Sequence, residues 1–443
     1  MTAPRATFAS RMGTILTMVG VAVGLGNVWR FPYLVGRFGG AAFVLFYIAV
    51  ALIIGVPAIM AEWLVGRHTR RGTLGAFERG GFPGGRLIGG FLFCVVVAAT
   101  AYYTIVVGWV LYFGIAGLLS IVGVKLNASA ILPPQSGFNP TSFLLQVACT
   151  VAVIWSCAVV QMHGLRSGIE KASKIIMPAL YAILVVLIIR SLTLPGAGAG
   201  VRWYIGHFAW RDLTPTVMVA AMGQAIFSLS LGGTFMLTYG SYLADGESLR
   251  GSAVWTSVGD TAAGIMAGFV IFPAVFAFGL QPGSGPGLLF DTIPRVFARM
   301  PAGSLFGFLF FAGLFGAAYL SDVAAFEVLV AGIVDNSKIE RPKAIKMTAV
   351  IVGIVALVPM LNLDIFVKWD LTFGSGMQTL GALLTVITAG WFLNRATLLE
   401  QLGEDDATRR VLVFAIRWII PLAMLAVGGW WLVTDVLHIA GGV

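Results

Sequence analysis

Residues 20–32 read Gly20-Val21-Ala22-Val23-Gly24-Leu25-Gly26-Asn27-Val28-Trp29-Arg30-Phe31-Pro32. Three glycines, an asparagine, an arginine and a proline stand where a membrane span is expected to be uniformly apolar. Inside hydrocarbon every backbone N–H and C=O needs a partner, so an unwound segment survives only where it lines a protein cavity or holds a ligand. A second interruption, Phe227-Ser228-Leu229-Ser230-Leu231-Gly232-Gly233, follows about half a chain later. Two broken spans at corresponding places point to a solute site of the kind secondary transporters build near the bilayer midplane.

Composition agrees with a membrane chain. Of 443 residues 58% are hydrophobic and 11% charged, and the mean hydropathy is +0.93. Apolar runs predict eleven spans, near 13–37, 40–66, 87–121, 143–162, 170–192, 214–243, 251–280, 303–334, 344–361, 372–393 and 411–437. The stretch from Leu288 to Val296 reads as a helical external loop. With the N-terminus cytoplasmic, 19 of the 28 Lys and Arg residues fall on the cytoplasmic side, in loops or at the adjoining span ends, among them Arg67, Arg70, Arg71, Lys171, Lys174, Arg341 and Arg410. That bias predicts an N-in, C-out protein of the cell inner membrane, and it makes the +9 charge a topology signal. No basic aromatic module supports a nucleic-acid partner, and the short basic start predicts no cleaved signal peptide. Cys94, Cys149 and Cys157 lie inside spans and read as small buried apolar residues. His68, His163, His207 and His438 are isolated and lack metal-ligand spacing. With no nucleophile elbow or phosphate loop either, the chain does not read as an enzyme.

The run from Gly24 to Tyr33 closely resembles the first-span signature of the neurotransmitter:sodium symporter family. Phe38-Gly39-Gly40, Glu62-Trp63 with Gly66-Arg67, Tyr102-Tyr103, Gly168-Ile169-Glu170-Lys171, Gly223-Gln224 and Tyr239 to Tyr242 agree in order. The resemblance implies an all-α integral membrane protein of the bacterial leucine-transporter type. It has eleven transmembrane helices, arranged as two inverted five-helix repeats with discontinuous helices 1 and 6. The organisation it implies is a cytoplasmic segment 1–12, a first repeat 13–193, an external loop 194–212, a second repeat 213–393, a cytoplasmic loop 394–410 and an eleventh helix 411–437.

Unwinding spans 1 and 6 bares amide donors at some half-helix ends and carbonyl acceptors at others, a pattern that suits a zwitterion and a small cation. By resemblance, the Leu25 and Gly26 amides and the Tyr103 hydroxyl hold the substrate carboxylate. The amine meets carbonyls near Ala22, Phe227 and Ser228, with Ser230 and Ser321 close by. Relatives that carry monoamines place Asp at position 24; Gly24 leaves that charge to the substrate's own carboxylate. Ala99, Gly233 and Ala325 stand where a leucine-transporting relative has larger side chains, which implies a bulky apolar or aromatic amino acid beneath a Phe227 lid.

The resemblance also implies two Na⁺ sites. The first uses the Ala22 carbonyl, Asn27, Ser228, the substrate carboxylate and Asp260, whose fixed charge replaces the chloride that some relatives recruit. The second uses carbonyls of Gly20, Val23 and Ala317 with the Ser321 hydroxyl, but Leu320 stands where relatives have Thr or Asp. Asp322, two residues on, points about 100° away from its neighbour on a helix and is no simple replacement. Arg30 with Asp370 forms the implied outer gate, and Arg5 with Asp335, supported by Tyr242, the inner one. Gly168 and Pro178 fit either a local unwinding of span 5 or a plain helix start with a kink. The expected activity is Na⁺-coupled amino-acid symport by alternating access in a lipid bilayer. The alternatives are proton coupling on the same scaffold, through Asp322 or Glu327, and a sensor that binds an amino acid without transporting it.

Overall fold

In the computed structural model residues 5–282, 287–402 and 405–437 are described, and every regular element among them is helical. His438, residues 1–4 of the predicted N-terminal segment, residues 283–286 and residues 403–404 of the predicted loop 394–410 lie outside that description. Helix α1 is a broken pair, Arg11–Ala22 and Gly26–Phe38, bent by 53°. Ser10 starts it, its hydroxyl accepting from the Gly13 amide at 3.1 Å, a cap that contributes about 1 kcal/mol. The first half ends where Val23 turns to an extended conformation, with Gly24 next in line.

Four continuous helices follow, α2 (Gly40–Thr69), α3 (Gly85–Ile121), α4 (Pro140–Met162) and α5 (Leu165–Leu192). Helix α6 breaks as α1 does, into Pro215–Ser228 and Phe235–Gly240. Helices α7 (Leu249–Ala277), α8 (Gly303–Asn336), α9 (Arg341–Ala356), α10 (Leu363–Phe392) and α11 (Asp406–Thr434) complete the chain. Asn139, Thr214, Ser248 and Asn362 cap four of these starts with side-chain oxygens, and Pro140 and Pro215 occupy first turns whose N–H would have no helical partner.

Helices α3 and α8 pack along each other at the centre. Inside α8's most apolar window 83% of residues are buried, against 28% in α4 and in α5, so these last two form the rim. Trp155 on α4, Ile175 on α5, Ile354 on α9 and Leu422 on α11 stand exposed, as lipid contact requires. Glycines bring helices to backbone contact near the middle. A Cβ added to Gly66 of α2 would lie 1.9 Å from the Leu237 carbonyl oxygen, and one on Gly240 would lie 2.5 Å from the Trp63 Cα. The short second half of α6 is thereby seated directly on α2.

Several sequence expectations change. Cys94 is exposed on the helix surface, and only Cys157 is fully buried. Helix α5 starts at Leu165 and runs unbroken through Pro178, which favours the plain helix start over a local unwinding. Helix α10 begins at Leu363, ahead of the predicted 372, so Asp370 sits within it. Helix α9 ends at Ala356, short of the predicted 361. The stretch Leu288–Thr292 followed by Ile293–Arg299 is helical, as its apolar pattern suggests.

Candidate functional site

The two breaks face each other and are tied together. The Ser230 hydroxyl donates to the Val21 carbonyl at 2.9 Å, and the Gln224 amide donates to the Gly26 carbonyl at 2.8 Å. Within the α6 break Ser230, Gly232 and Thr234 all have left-handed backbone, with φ of 53°, 89° and 56°. For Ser and Thr this costs about 1 kcal/mol or more each and persists only where the surroundings fix it. Those surroundings are visible: the Gly232 amide donates to Glu62 at 2.8 Å, and the Thr234 hydroxyl shares a 2.6 Å bond with Thr73. Gly232 is required on steric grounds as well, since a Cβ there would lie 1.7 Å from the Gln378 carbonyl oxygen.

Between the breaks lies a cavity of about 540 Å³, counting the space continuous with solvent. Ala22, Gly24 and Gly26 line it from α1, Phe227 and Ser230 from α6. Ala99 and Tyr103 of α3 face Ser321 and Ala325 of α8 across it. The Leu25 amide donates to the Tyr103 hydroxyl at 3.3 Å, which sets a donor and a hydroxyl side by side as carboxylate binding requires. A Cβ on Gly24 would lie 2.6 Å from that hydroxyl and 2.7 Å from the Ser321 Oγ, so position 24 has room for hydrogen alone in this arrangement. Gly233 is a correction. It does not open space, because a Cβ on it would lie 2.0 Å from the Phe235 ring, and Phe235 lines the cavity instead. Thr100, Tyr102 and Gln378 also line it, unassigned from the sequence.

Asn27, Ser228 and Asp260 converge below the cavity. The Asn27 amide donates to the Asp260 carboxylate at 2.7 Å, to its backbone carbonyl at 2.8 Å and to the Ser228 hydroxyl at 2.9 Å. The Ser228 hydroxyl donates to the Asp260 carboxylate at 2.8 Å and the Tyr47 hydroxyl donates to the same carboxylate at 3.3 Å, while the Gly24 amide donates to the Asn27 oxygen at 3.0 Å. Asn27, Tyr47 and Asp260 are fully buried, and among the described residues no cationic side chain pairs with Asp260. A buried carboxylate with three neutral donors and no counter-charge has the chemistry of a site for a small hard cation.

A second convergence lies around Ser321. Its hydroxyl is 3.1 Å from the Val23 carbonyl, 3.4 Å from that of Val21 and 3.5 Å from that of Ala317. On the adjoining face the Leu320 methyl packs on Gly20, 3.0 Å from where a Cβ would stand. Asp322 faces away from this cluster, accepting from Thr104 at 2.8 Å and from the Cys157 thiol at 3.7 Å. Cys157 is therefore a polar partner rather than plain apolar filling.

The two ends of the molecule differ. Arg5 pairs with Asp335 at 2.5 Å and lies 4.5 Å from the centre of the Tyr242 ring. Tyr242 in turn donates to Glu327 at 2.5 Å, and Glu327 is held by Arg341 at 2.6 and 3.0 Å. That ion pair gives Glu327 a structural partner. At the opposite end Arg30 does not reach Asp370 among the described ion pairs; its guanidinium lies 4.3 Å from the centre of the Phe227 ring. Asp370 and Tyr102 instead converge over Gly374. Tyr47 had no signal in an apolar span, whereas Glu62 and Gln224 were visible as polar residues that a bilayer span rarely carries without purpose.

Comparison with known proteins agrees with this geometry. The model of the sodium:neurotransmitter symporter family matches residues 5–123 and 135–428. A protein of Haemophilus influenzae described as an uncharacterized sodium-dependent transporter is 30% identical, over 96% of this chain and 97% of its own. One of Bacillus subtilis with the same description is 30% identical, over 95% and 96%. The crystal structure of MhsT in complex with L-phenylalanine superposes with a TM-score of 0.84 at 32% identity, covering 96% of this chain and 99% of that one. The fold is thus that of a sodium-dependent membrane transporter, two inverted five-helix repeats each opening on a broken helix. The chain belongs to the sodium:neurotransmitter symporter family.

Proposed function

We propose that this protein couples Na⁺ to the symport of a bulky apolar or aromatic L-amino acid by alternating access. In this reading it lies in the cell inner membrane with its N-terminus cytoplasmic and its C-terminus external. The observation that carries the reading is the fully buried Asp260 beside Asn27 and Ser228, without a cationic side chain, directly under a break where Gly24 offers no acid. An amine alone finds no carboxylate partner in that break; a zwitterion brings its own. The relative MhsT, solved with L-phenylalanine, supports the substrate class.

In this mechanism the Leu25 and Gly26 amides and the Tyr103 hydroxyl bind the substrate carboxylate, and carbonyls of Ala22 and Phe227 orient its amine. Na⁺, when bound, supplies the positive charge that Asp260 and the substrate carboxylate share. Ala22, Asn27, Ser228 and Asp260 would hold it. A second Na⁺ at Gly20, Val23, Ala317 and Ser321 would be held weakly, because Leu320 contributes a methyl where an oxygen is needed. Phe227 under Arg30 excludes water from above, and Arg5, Asp335 and Tyr242 close the inner end. Gate pairs of this kind have to be individually weak enough to break in each cycle.

Uptake of labelled amino acids into proteoliposomes, with Na⁺ and proton gradients imposed separately, tests the reading. Accumulation driven by inward Na⁺ alone is expected. Accumulation driven by a proton gradient without Na⁺, or preference for a decarboxylated amine over its parent amino acid, overturns it.

A further inference from the structure

One side of the cavity carries a polar group that backbone recognition leaves unused. Three hydroxyls of the wall are committed to backbone carbonyls: Thr100 donates to Val96 at 2.7 Å, Ser230 to Val21, and Ser321 to α1. Gln378 lines the same cavity, one helical turn beyond Gly374 on α10, and its carboxamide has no hydrogen-bond partner among the described residues. Its position is fixed from behind, because its backbone carbonyl abuts Gly232 in the α6 break. Phe235 presents a ring to this cavity through the space that Gly233 leaves, and Ala99 and Ala325 add only methyl groups. An aliphatic side chain would fill such a space and leave a carboxamide unpaired, a cost of about 1–3 kcal/mol when the group is desolvated. A charged side chain would find no countercharge there.

Resting on the symport reading above, we infer that the preferred substrate is an aromatic amino acid with a hydrogen-bond donor on its ring, the indole N–H of tryptophan or the phenol O–H of tyrosine. Gln378 accepts that donor, and Phe235 packs on the ring. Gln378 is then the residue that separates such substrates from phenylalanine and leucine. A site built to pair a ring donor rejects the analogue that lacks it more strongly than one that merely fits a shape.

Equilibrium competition on the purified full-length protein in saturating Na⁺ tests this with tryptophan, tyrosine, phenylalanine, leucine and the benzothiophene analogue of tryptophan, which keeps the shape and lacks the N–H. Tryptophan or tyrosine is expected to bind about tenfold more tightly than its donor-free counterpart. In Gln378→Leu that gap closes while phenylalanine affinity stays within about threefold of wild type. Equal binding of each donor and its donor-free counterpart in the wild type overturns the inference. So does a Gln378→Leu protein that loses affinity for every ligand alike. If the variant does not fold, the wild-type comparison of tryptophan with its analogue decides alone. Binding of none of the twenty amino acids defeats the symport reading itself, a result distinct from a wrong ranking.

Discussion

Two oxygen-lined clusters lie beside the broken helix α1, and they are built from opposite materials. One gathers side chains: Asn27, Ser228, Tyr47 and Asp260, all buried and joined by bonds of 2.7–3.3 Å. The other gathers backbone: carbonyls of Val21, Val23 and Ala317 at 3.1–3.5 Å from a single hydroxyl, with Leu320 packed on Gly20 beside them. A full negative charge in a low-dielectric interior attracts a cation far more strongly than carbonyl dipoles do. Within one fold the first cluster is thus suited to firm retention of an ion, and the second to an ion easily lost.

The sharpest way to break the contrast is Asp260→Asn. Removing one partner of a buried charge pair costs several kcal/mol, so the Na⁺ concentration that half-saturates substrate binding should rise by about a hundredfold or more. An unchanged midpoint would place the ion elsewhere. Next in size is Leu320→Thr, which restores an oxygen to the second cluster. Apparent Na⁺ affinity should improve by about five- to tenfold, with the Hill slope of Na⁺-dependent binding moving from near one toward two. A wild-type slope already near two would show that the methyl is tolerated.

Asp322→Asn should be milder. The carboxylate is turned toward Thr104 and Cys157, and an amide oxygen can keep one of those bonds. Less than about a threefold change in Na⁺ midpoint is expected. A larger shift would mean that Asp322 acts on the carbonyl cluster from behind. Smallest is the effect of the external anion. With Asp260 supplying a fixed charge, replacing chloride by gluconate should alter uptake by less than about twofold, and collapse of uptake would refute that role.

The broken helix was legible because its evidence is local. Gly20, Gly24, Gly26 and Asn27 lie within eight residues of one another, and their incompatibility with a plain span needs no knowledge of anything else. The helices facing lipid were legible for the same reason. What the sequence hid depends on distant backbone. Gly233 reads as an open wall until Thr234, left-handed at φ 56°, is seen to bring Phe235 round into that space. Glu327 looked available for proton traffic until Arg341, beyond the turn after α8, was found bonded to both its oxygens. The gate partners were also unequal. Arg5 and Asp335 meet, while Arg30 rests on Phe227, a distinction of conformational state that residue identities do not carry.

The glycine seam between α2 and the end of α6 has a consequence for how this chain tolerates change. Neither Gly66 nor Gly240 lines the cavity, and alanine is the mildest replacement either can receive. Yet a single methyl at Gly66 would overlap the Leu237 carbonyl, and one at Gly240 would overlap the Trp63 backbone. Neither neighbour is a side chain that can swing aside. In a saturation library scored by growth on imported substrate, these two positions should therefore accept almost no alternative, while exposed Trp155 and Leu422 on the lipid-facing rim accept most apolar ones. A map of permitted substitutions would draw the seam as a line of intolerance running through residues that bind nothing.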